Sequence, residues 1–323
     1  MKTIFFVLKV SILVFLFLGN GFFVFSQNEV QKDTSYTIFS TYKKLIKKYP
    51  FIQIVSKESQ SNLVEERAIV YKNIDLRSLA LDAFYVKSNQ VNPAVILVHG
   101  GGWKSGDKSM MEQLAVAIAS KGYSCFAIEY RLSPEAQYPA GVFDIKSAIQ
   151  FVKRNAVKFN VDTTRVAVLG CSSGGQMAAL VGTTNGNKKF EEGNSVPKTF
   201  TTIQAVIDID GILAFKHPES AEGEMAGLWL GGTYQEKSEN WNNASALHHA
   251  GKNSPPVLFI NSSFDRFHAG RDDMIAILNK NNIYSEVKTI SDSPHSFWLF
   301  EPWFDQTVAY VTQFLDIIFK KTQ

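Results

Sequence analysis

The stretch RVAVLGCSSGGQMAAL, residues 165–180, decides the fold. It begins as a short apolar, β-branched run, passes through a glycine-bounded turn and continues in helix-forming residues. The turn, Gly170-Cys171-Ser172-Ser173-Gly174, fits the pattern G-x-S-x-G, in which the serine sits on a sharp, strained strand-to-helix elbow. The flanking glycines remove Cβ atoms that would clash in so tight a turn. An elbow of this kind lifts the Ser172 hydroxyl above the end of a sheet. It also turns the Ser173 N–H toward the place where an oxyanion would form. Five loosely specified positions recur by chance; a strand before them and a helix after them make the pattern specific.

Outward from the elbow the chain alternates. Residues 94–98, AVILV, read as a buried parallel strand, and they run into His99-Gly100-Gly101-Gly102-Trp103. Further strands are expected at 124–130, 205–209, 257–260 and 286–290, and helices at 111–121, 141–159, 272–279 and 307–320. Residues 65–86 carry two alternating runs, ERAIVYKNI and SLALDAFYV, which spell a β-hairpin at a sheet edge. Residues 28–61 read as a surface helix. The polar residues 184–202 read as a loop, and residues 213–254 as an irregular insertion with short helices. Strands alternating with helices predict an α/β fold, a mostly parallel twisted sheet of about eight strands with helices on both faces.

The first 26 residues stand apart. Lys2, the apolar run 4–18 and the small residues before Ser26 have the layout of a secretory signal peptide with a cut after Ser26. The run is broken at Gly19-Asn20-Gly21 and carries Lys9, so it makes a poor membrane span. Residues 27–323 are then expected to form one domain of an exported, periplasmic or secreted protein, with no stable membrane association once the leader is removed. A formal net charge of +3 and no basic face argue against a nucleic-acid partner. Cys125 and Cys171 fall on different expected strands and do not invite a bridge. Neither has a histidine or second cysteine at metal-ligand spacing, so neither a metal nor another cofactor is implied.

Serine needs a base within hydrogen-bond reach and a third group to orient that base. His295 is the histidine in a post-strand loop near the C-terminus. His99 belongs to the glycine motif, and His217, His248, His249 and His268 read as structural or solvated. The orienting acid should follow a strand between nucleophile and base. Asp265, directly after VLFINSSF, does so; Asp208 and Asp210 end the preceding strand, and Asp292 lies three residues before His295. Asp265 is the expected acid, giving the chain order Ser172, Asp265, His295.

These motifs together resemble the α/β-hydrolase superfamily. In detail they are similar to secreted acetyl-ester and feruloyl-ester hydrolases of polysaccharide-degrading bacteria, near the hormone-sensitive-lipase group. The resemblance runs from Tyr71 to Phe319. It rests on HGGGW at 99–103, YRLSPE at 130–135, YPAGVFD at 138–144, GCSSGG at 170–175, Asp265 and PHSFWLF at 294–300. It implies Ser172 as nucleophile, His295 as general base, Asp265 as orienter, and an oxyanion hole from the N–H groups of Gly101, Gly102 and Ser173. It departs from many relatives at Cys171, where they carry an acidic or aromatic residue. It further implies an acylated carbohydrate substrate such as acetylated pectin or xylan. Trp103, Trp298 and Trp303 are the candidate substrate-binding rings, with Trp298 and Trp303 standing open between pocket and core. A feruloyl esterase or serine peptidase on the same fold, and a carbohydrate-binding protein that has lost catalysis, are the rival readings.

Overall fold

Residue alternation along the central strands shows how the core is built. In the computed structural model, which describes residues 33 and 35–320 apart from 57–60, 76, 88, 89 and 193–199, Ala94, Ile96 and Val98 face one apolar layer, and Val95 and Leu97 face the other. Val166 and Val168 against Ala167, Leu169 and Cys171 repeat the pattern. A strand buried on both faces reads as a continuous apolar run, which is what the parallel strands show. The expected leader, 1–26, lies outside the described residues.

The strands are β1 (Gln53–Ile54), β2 (Leu63–Ile74), β3 (Arg77–Val86), β4 (Asn92–Val98), β5 (Ser124–Ile128), β6 (Val161–Cys171), β7 (Ala205–Ile209), β8 (Val257–Asn261), β9 (Ser285–Thr289) and β10 (Phe300–Glu301). Eight of them form one sheet in the order β2-β3-β5-β4-β6-β7-β8-β9. The β2–β3 and β3–β5 pairs are antiparallel, and every pair from β5 to β9 is parallel. The helices are α1 (Ile38–Leu45), α2 (Glu112–Ala119), α3 (Ala140–Arg154), α4 (Ala156–Phe159), α5 (Ser173–Thr183), α6 (Glu224–Leu230), α7 (Tyr234–Asn243), α8 (Arg271–Lys280) and α9 (Phe304–Lys320). Core side chains of α3, α5 and α8 fill one layer; those of α2 and α9 fill the other. The edge strand β9, SEVKT, is only half-buried and carries a Lys288–Glu286 ion pair of 2.7 Å, charge of the kind that discourages edge pairing.

The N-terminal segment differs from the long helix expected over 28–61. Thr37 and Ser40 cap a helix that covers only 38–45. Pro50 bars further helix before it, and β1 then pairs antiparallel with β10. The segment straps the apolar run after His295.

In a parallel sheet of this kind, sites form beyond the carboxyl ends of the strands. Here β4 ends at the glycine loop, β6 at Ser172, β7 at Asp210, β8 at the 262–268 turn, and β9 leads to His295.

Candidate active site

The elbow is built by close backbone approach. Ser172 adopts φ 56° and ψ −122°, a region that costs a non-glycine residue of order 1–3 kcal/mol. Its N–H donates to the Ile209 carbonyl over 2.7 Å, tying the turn to β7. A Cβ at Gly170 would lie 2.0 Å from the Gly174 carbonyl oxygen, and one at Gly174 would lie 2.2 Å from that of Val98. Both positions therefore exclude any side chain.

The hydroxyl so presented lies 2.9 Å from His295 Nε2. On the far side of the ring, His295 Nδ1 lies 2.8 Å from Asp210 Oδ2. Asp210 is fully buried, and its other oxygen accepts the Ser262 N–H at 2.7 Å. Asp210 is also backbone-bound to β8, its N–H donating to the Ile260 carbonyl at 3.0 Å. Burial alone would raise its carboxyl; the facing His268 and His295 outweigh that and hold it below the usual carboxylate range.

The expected acid is thus corrected. Asp265 opens a short 3-10 turn, Asp265–His268, and its side chain is wholly exposed. The same turn sends Phe267 and His268 inward. Phe267 stacks on the His295 ring at 3.4 Å between centroids, 11° from parallel, and His268 faces Asp210. The carboxylate that meets His295 comes instead from the neighbouring strand. There the left-handed φ of 52° at Asp210 turns the chain out of β7 at the point where His295 can be met. Asp208, two residues earlier, is buried as well. Its Oδ1 accepts the Gly211 N–H, and burial, with the Asp210 charge adding, pushes it well above the ordinary range. Burial likewise pushes the Cys171 thiol up, so the side chain next to Ser172 is inert. Cys125 and Cys171 are both free and buried. Asp292 has a left-handed φ of 54° and belongs to the turn before His295.

Gly101, Gly102 and Ser173 line one pocket with Ser172, Asp210 and His295. The Gly101 carbonyl is turned away and accepts from Lys104 N, Ser105 N and Ser105 Oγ at 3.0–3.2 Å. Backbone φ values of 127° at Gly101 and 60° at Gly102 make the loop a glycine conformation. His99 is structural: its ring stacks on Tyr130 at 4.4 Å, and the Tyr130 hydroxyl donates to its carbonyl.

The pocket, about 550 Å³, is completed by Tyr36, Ile212, Met225, Arg266 and Phe267. Tyr36 is a residue that the sequence did not single out; its hydroxyl lies 3.3 Å from Oγ of Ser296, the residue after His295. A second hollow of about 1050 Å³ opens within the insertion, and Ala221, Glu222, Gly223 and Glu224 line both spaces. Trp103 borders the pocket but is buried, its Nε1–H donating to Gln176 and its ring stacked 5.1 Å from Trp229. Trp298 and Trp303 are core residues and do not line the pocket. Trp298 stands edge-on to His295 at 5.4 Å, and Trp303 packs on Tyr49 and Phe51 of the N-terminal strap. Among the described residues no group of histidine, cysteine and acidic side chains is arranged to hold a metal, and no helix is long and apolar enough to cross a membrane.

Residues 81–270, more than half of the chain, match the family described as BD-FAE. The chain belongs to the BD-FAE family. Over 239 residues it is 26% identical to Esterase LipC of Mycobacterium tuberculosis, covering 71% of this chain and 57% of that one. Over 120 residues it is 33% identical to Carboxylesterase NlhH of the same organism, covering 36% of this chain and 37% of that one. The chain spans about half the length of the curated relatives it matches. Among solved structures, a truncated carbohydrate esterase from gut microbiota superposes with a TM-score of 0.66 at 21% identity, over 80% of this chain and 99% of that one. An esterase of Thermogutta terrifontis superposes with a TM-score of 0.65 at 21% identity, over 81% and 96%. This BD-FAE chain has the α/β-hydrolase fold.

Proposed function

We propose that the chain is an exported serine carboxylester hydrolase that deacetylates plant or algal polysaccharides or their oligosaccharides. One observation carries the reaction: the unbroken line Ser172 Oγ, His295 Nε2, His295 Nδ1, Asp210 Oδ2, with steps of 2.9 and 2.8 Å. The nitrogen facing Asp210 carries the ring proton, because a carboxylate only accepts. Nε2 is then free to take the serine proton. Ser172 attacks the ester carbonyl as His295 removes that proton. The glycine-loop amides and Ser173 N–H meet the tetrahedral oxyanion, and each such donor is worth about 2.7–4 kcal/mol to the transition state. The protonated His295, held by Asp210, returns its proton to the departing alcohol. Water activated by His295 then releases the acid and restores Ser172.

The pocket above Ser172 is bounded by Ile212, Met225 and Phe267, room suited to a short acyl group. The adjoining hollow supplies space for a larger alcohol portion. The carbohydrate esterase named among the structural neighbours, and the leader-like first 26 residues, support a glycan met outside the cytoplasm. A feruloyl ester is the second reading, favoured by Met225 and Leu228, large apolar side chains left exposed beside the two spaces.

The test is acid release from acetylated pectin, acetylated xylan and feruloylated oligosaccharides by the protein and its Ser172→Ala variant. Acetate released by the protein alone supports the proposal, and ferulate released in preference to acetate moves the substrate to the second reading. Equal release by the variant sinks the serine mechanism.

A further inference from the structure

Asp210 has two oxygens, and the mechanism above uses one. His295 takes Oδ2. On the side of Oδ1 stands a second histidine, His268, buried, with Nε2 3.6 Å from that oxygen. This Nε2 has no hydrogen-bond partner at normal distance, and an orphaned buried N–H is costly. Its protonation follows from the other side of the ring. Arg271 Nη1 lies 3.4 Å from His268 Nδ1, and a guanidinium only donates. Nδ1 is therefore the acceptor, and in the neutral ring the proton sits on Nε2, facing Asp210. Arg271 is itself fixed, donating to Asn261 Oδ1 at 2.8 Å and to Asp272 Oδ1 at 2.8 Å. Asp265, 3.9 Å from Nδ1, is fully exposed to solvent, where an ion pair is worth little.

We propose that His268 is a positioning residue that acts through Asp210: its Nε2–H holds Oδ1, with Arg271 fixing the tautomer, and so keeps Oδ2 on His295. Closure by about 0.6 Å completes the hydrogen bond, and such contacts commonly tighten only in the occupied site. The turn after β8, where the sequence placed the acid, thereby serves the acid of β7. Without His268, Oδ1 keeps the Ser262 N–H alone, and the carboxylate can swing on that single contact.

The inference rests on the proposed serine mechanism, and the experiment separates the two. Gln at 268 can offer an N–H where Nε2 stood, and Asn can answer Arg271 but not reach Asp210. With a nitrophenyl acetate substrate, His268→Asn is expected to lose about tenfold or more in kcat, the scale seen when a partner that orients a reacting group is removed, with KM within about threefold. His268→Gln is expected to recover kcat to within about threefold of the unmodified protein. In an Asp210→Asn background, His268→Asn should cost nothing further, since it acts through the group already lost. Nitrogen-15 NMR of the unmodified protein should show His268 protonated at Nε2. An unchanged kcat in His268→Asn, equal losses in the Gln and Asn variants, a loss that multiplies in the Asp210→Asn background, or an Nδ1-protonated ring would each overturn the proposal. If Ser172→Ala and Asp210→Asn themselves keep full activity, the serine mechanism has failed instead.

Discussion

The exits of β7 and β8 make an instructive pair. The two strands are parallel neighbours, both fully buried, and they end side by side at the edge where Ser172 stands. Each is followed by an aspartate. After β7 the chain turns at once, with Asp210 in a left-handed conformation and Gly211 behind it, and the carboxylate points to His295. After β8 the chain runs three more residues into a 3-10 turn that buries Phe267 and His268 and leaves Asp265 in solvent. Following a strand places a residue at the correct edge of the sheet. The first few backbone dihedrals decide whether it enters the site.

Substitutions at and around the two exits test that contrast. The largest effect belongs to the group on which both exits converge: His295→Ala should lower kcat by about 10⁴-fold or more, with KM for small esters little changed. A residual rate near that of the unmodified protein would place the base elsewhere. Phe267→Leu keeps an apolar side chain at the β8 exit but removes the ring stacked on the imidazole. A loss of roughly three- to tenfold in kcat is expected from a looser His295, read from steady-state kinetics, and no loss would leave the stack without a part in positioning. Arg266→Gln changes a charged wall of the pocket without touching the catalytic line; less than threefold change on nitrophenyl acetate is expected.

The smallest effect on activity is expected at Asp208. Asp208→Asn replaces a carboxyl whose ionisation burial disfavours, so kcat should stay within about twofold. Its mark is on stability. The carboxyl of Asp208 is raised in the folded state, so its contribution is fully present below the unfolded carboxylate pKa, about 3.9, and is lost as pH rises through the folded value. The melting temperature of the Asn variant should therefore fall less between pH 5 and pH 9 than that of the unmodified protein. Asp210 has the opposite sign. Its lowered pKa adds stability above that unfolded value, and the contribution disappears as pH falls through the folded one. A parallel alkaline decline in both proteins would contradict the upward shift of the Asp208 carboxyl.

Much of this is legible in the sequence alone. The apolar runs 94–98, 165–171, 205–209 and 257–260 read as strands because each is short and rich in aliphatic and β-branched residues. Gly170, Gly174 and the loop after β4 mark backbone approaches that a Cβ would forbid. Ser172 and His295 stand where their motifs place them. The carboxylate that meets His295 was not legible, because Asp210 and Asp265 both follow strands, and the choice lies in the φ of Asp210 and the 3-10 turn at 265–268. Trp298 and Trp303 show the same limit. An aromatic run after the base can face pocket or core, and here the N-terminal strap with Tyr49 and Phe51 covers Trp303. That strap pairs β1 with β10 across 246 residues of sequence or more, a contact that local patterning does not encode.

The most direct test sets Asp210→Asn beside Asp265→Asn and measures kcat on the same acetyl ester. Loss of the β7 carboxylate should leave His295 unoriented and cost about 10⁴-fold, while loss of the β8 carboxylate should change kcat by less than about twofold. The reverse result, with Asp265→Asn inactive and Asp210→Asn unimpaired, would contradict the assignment of the acid to the end of β7.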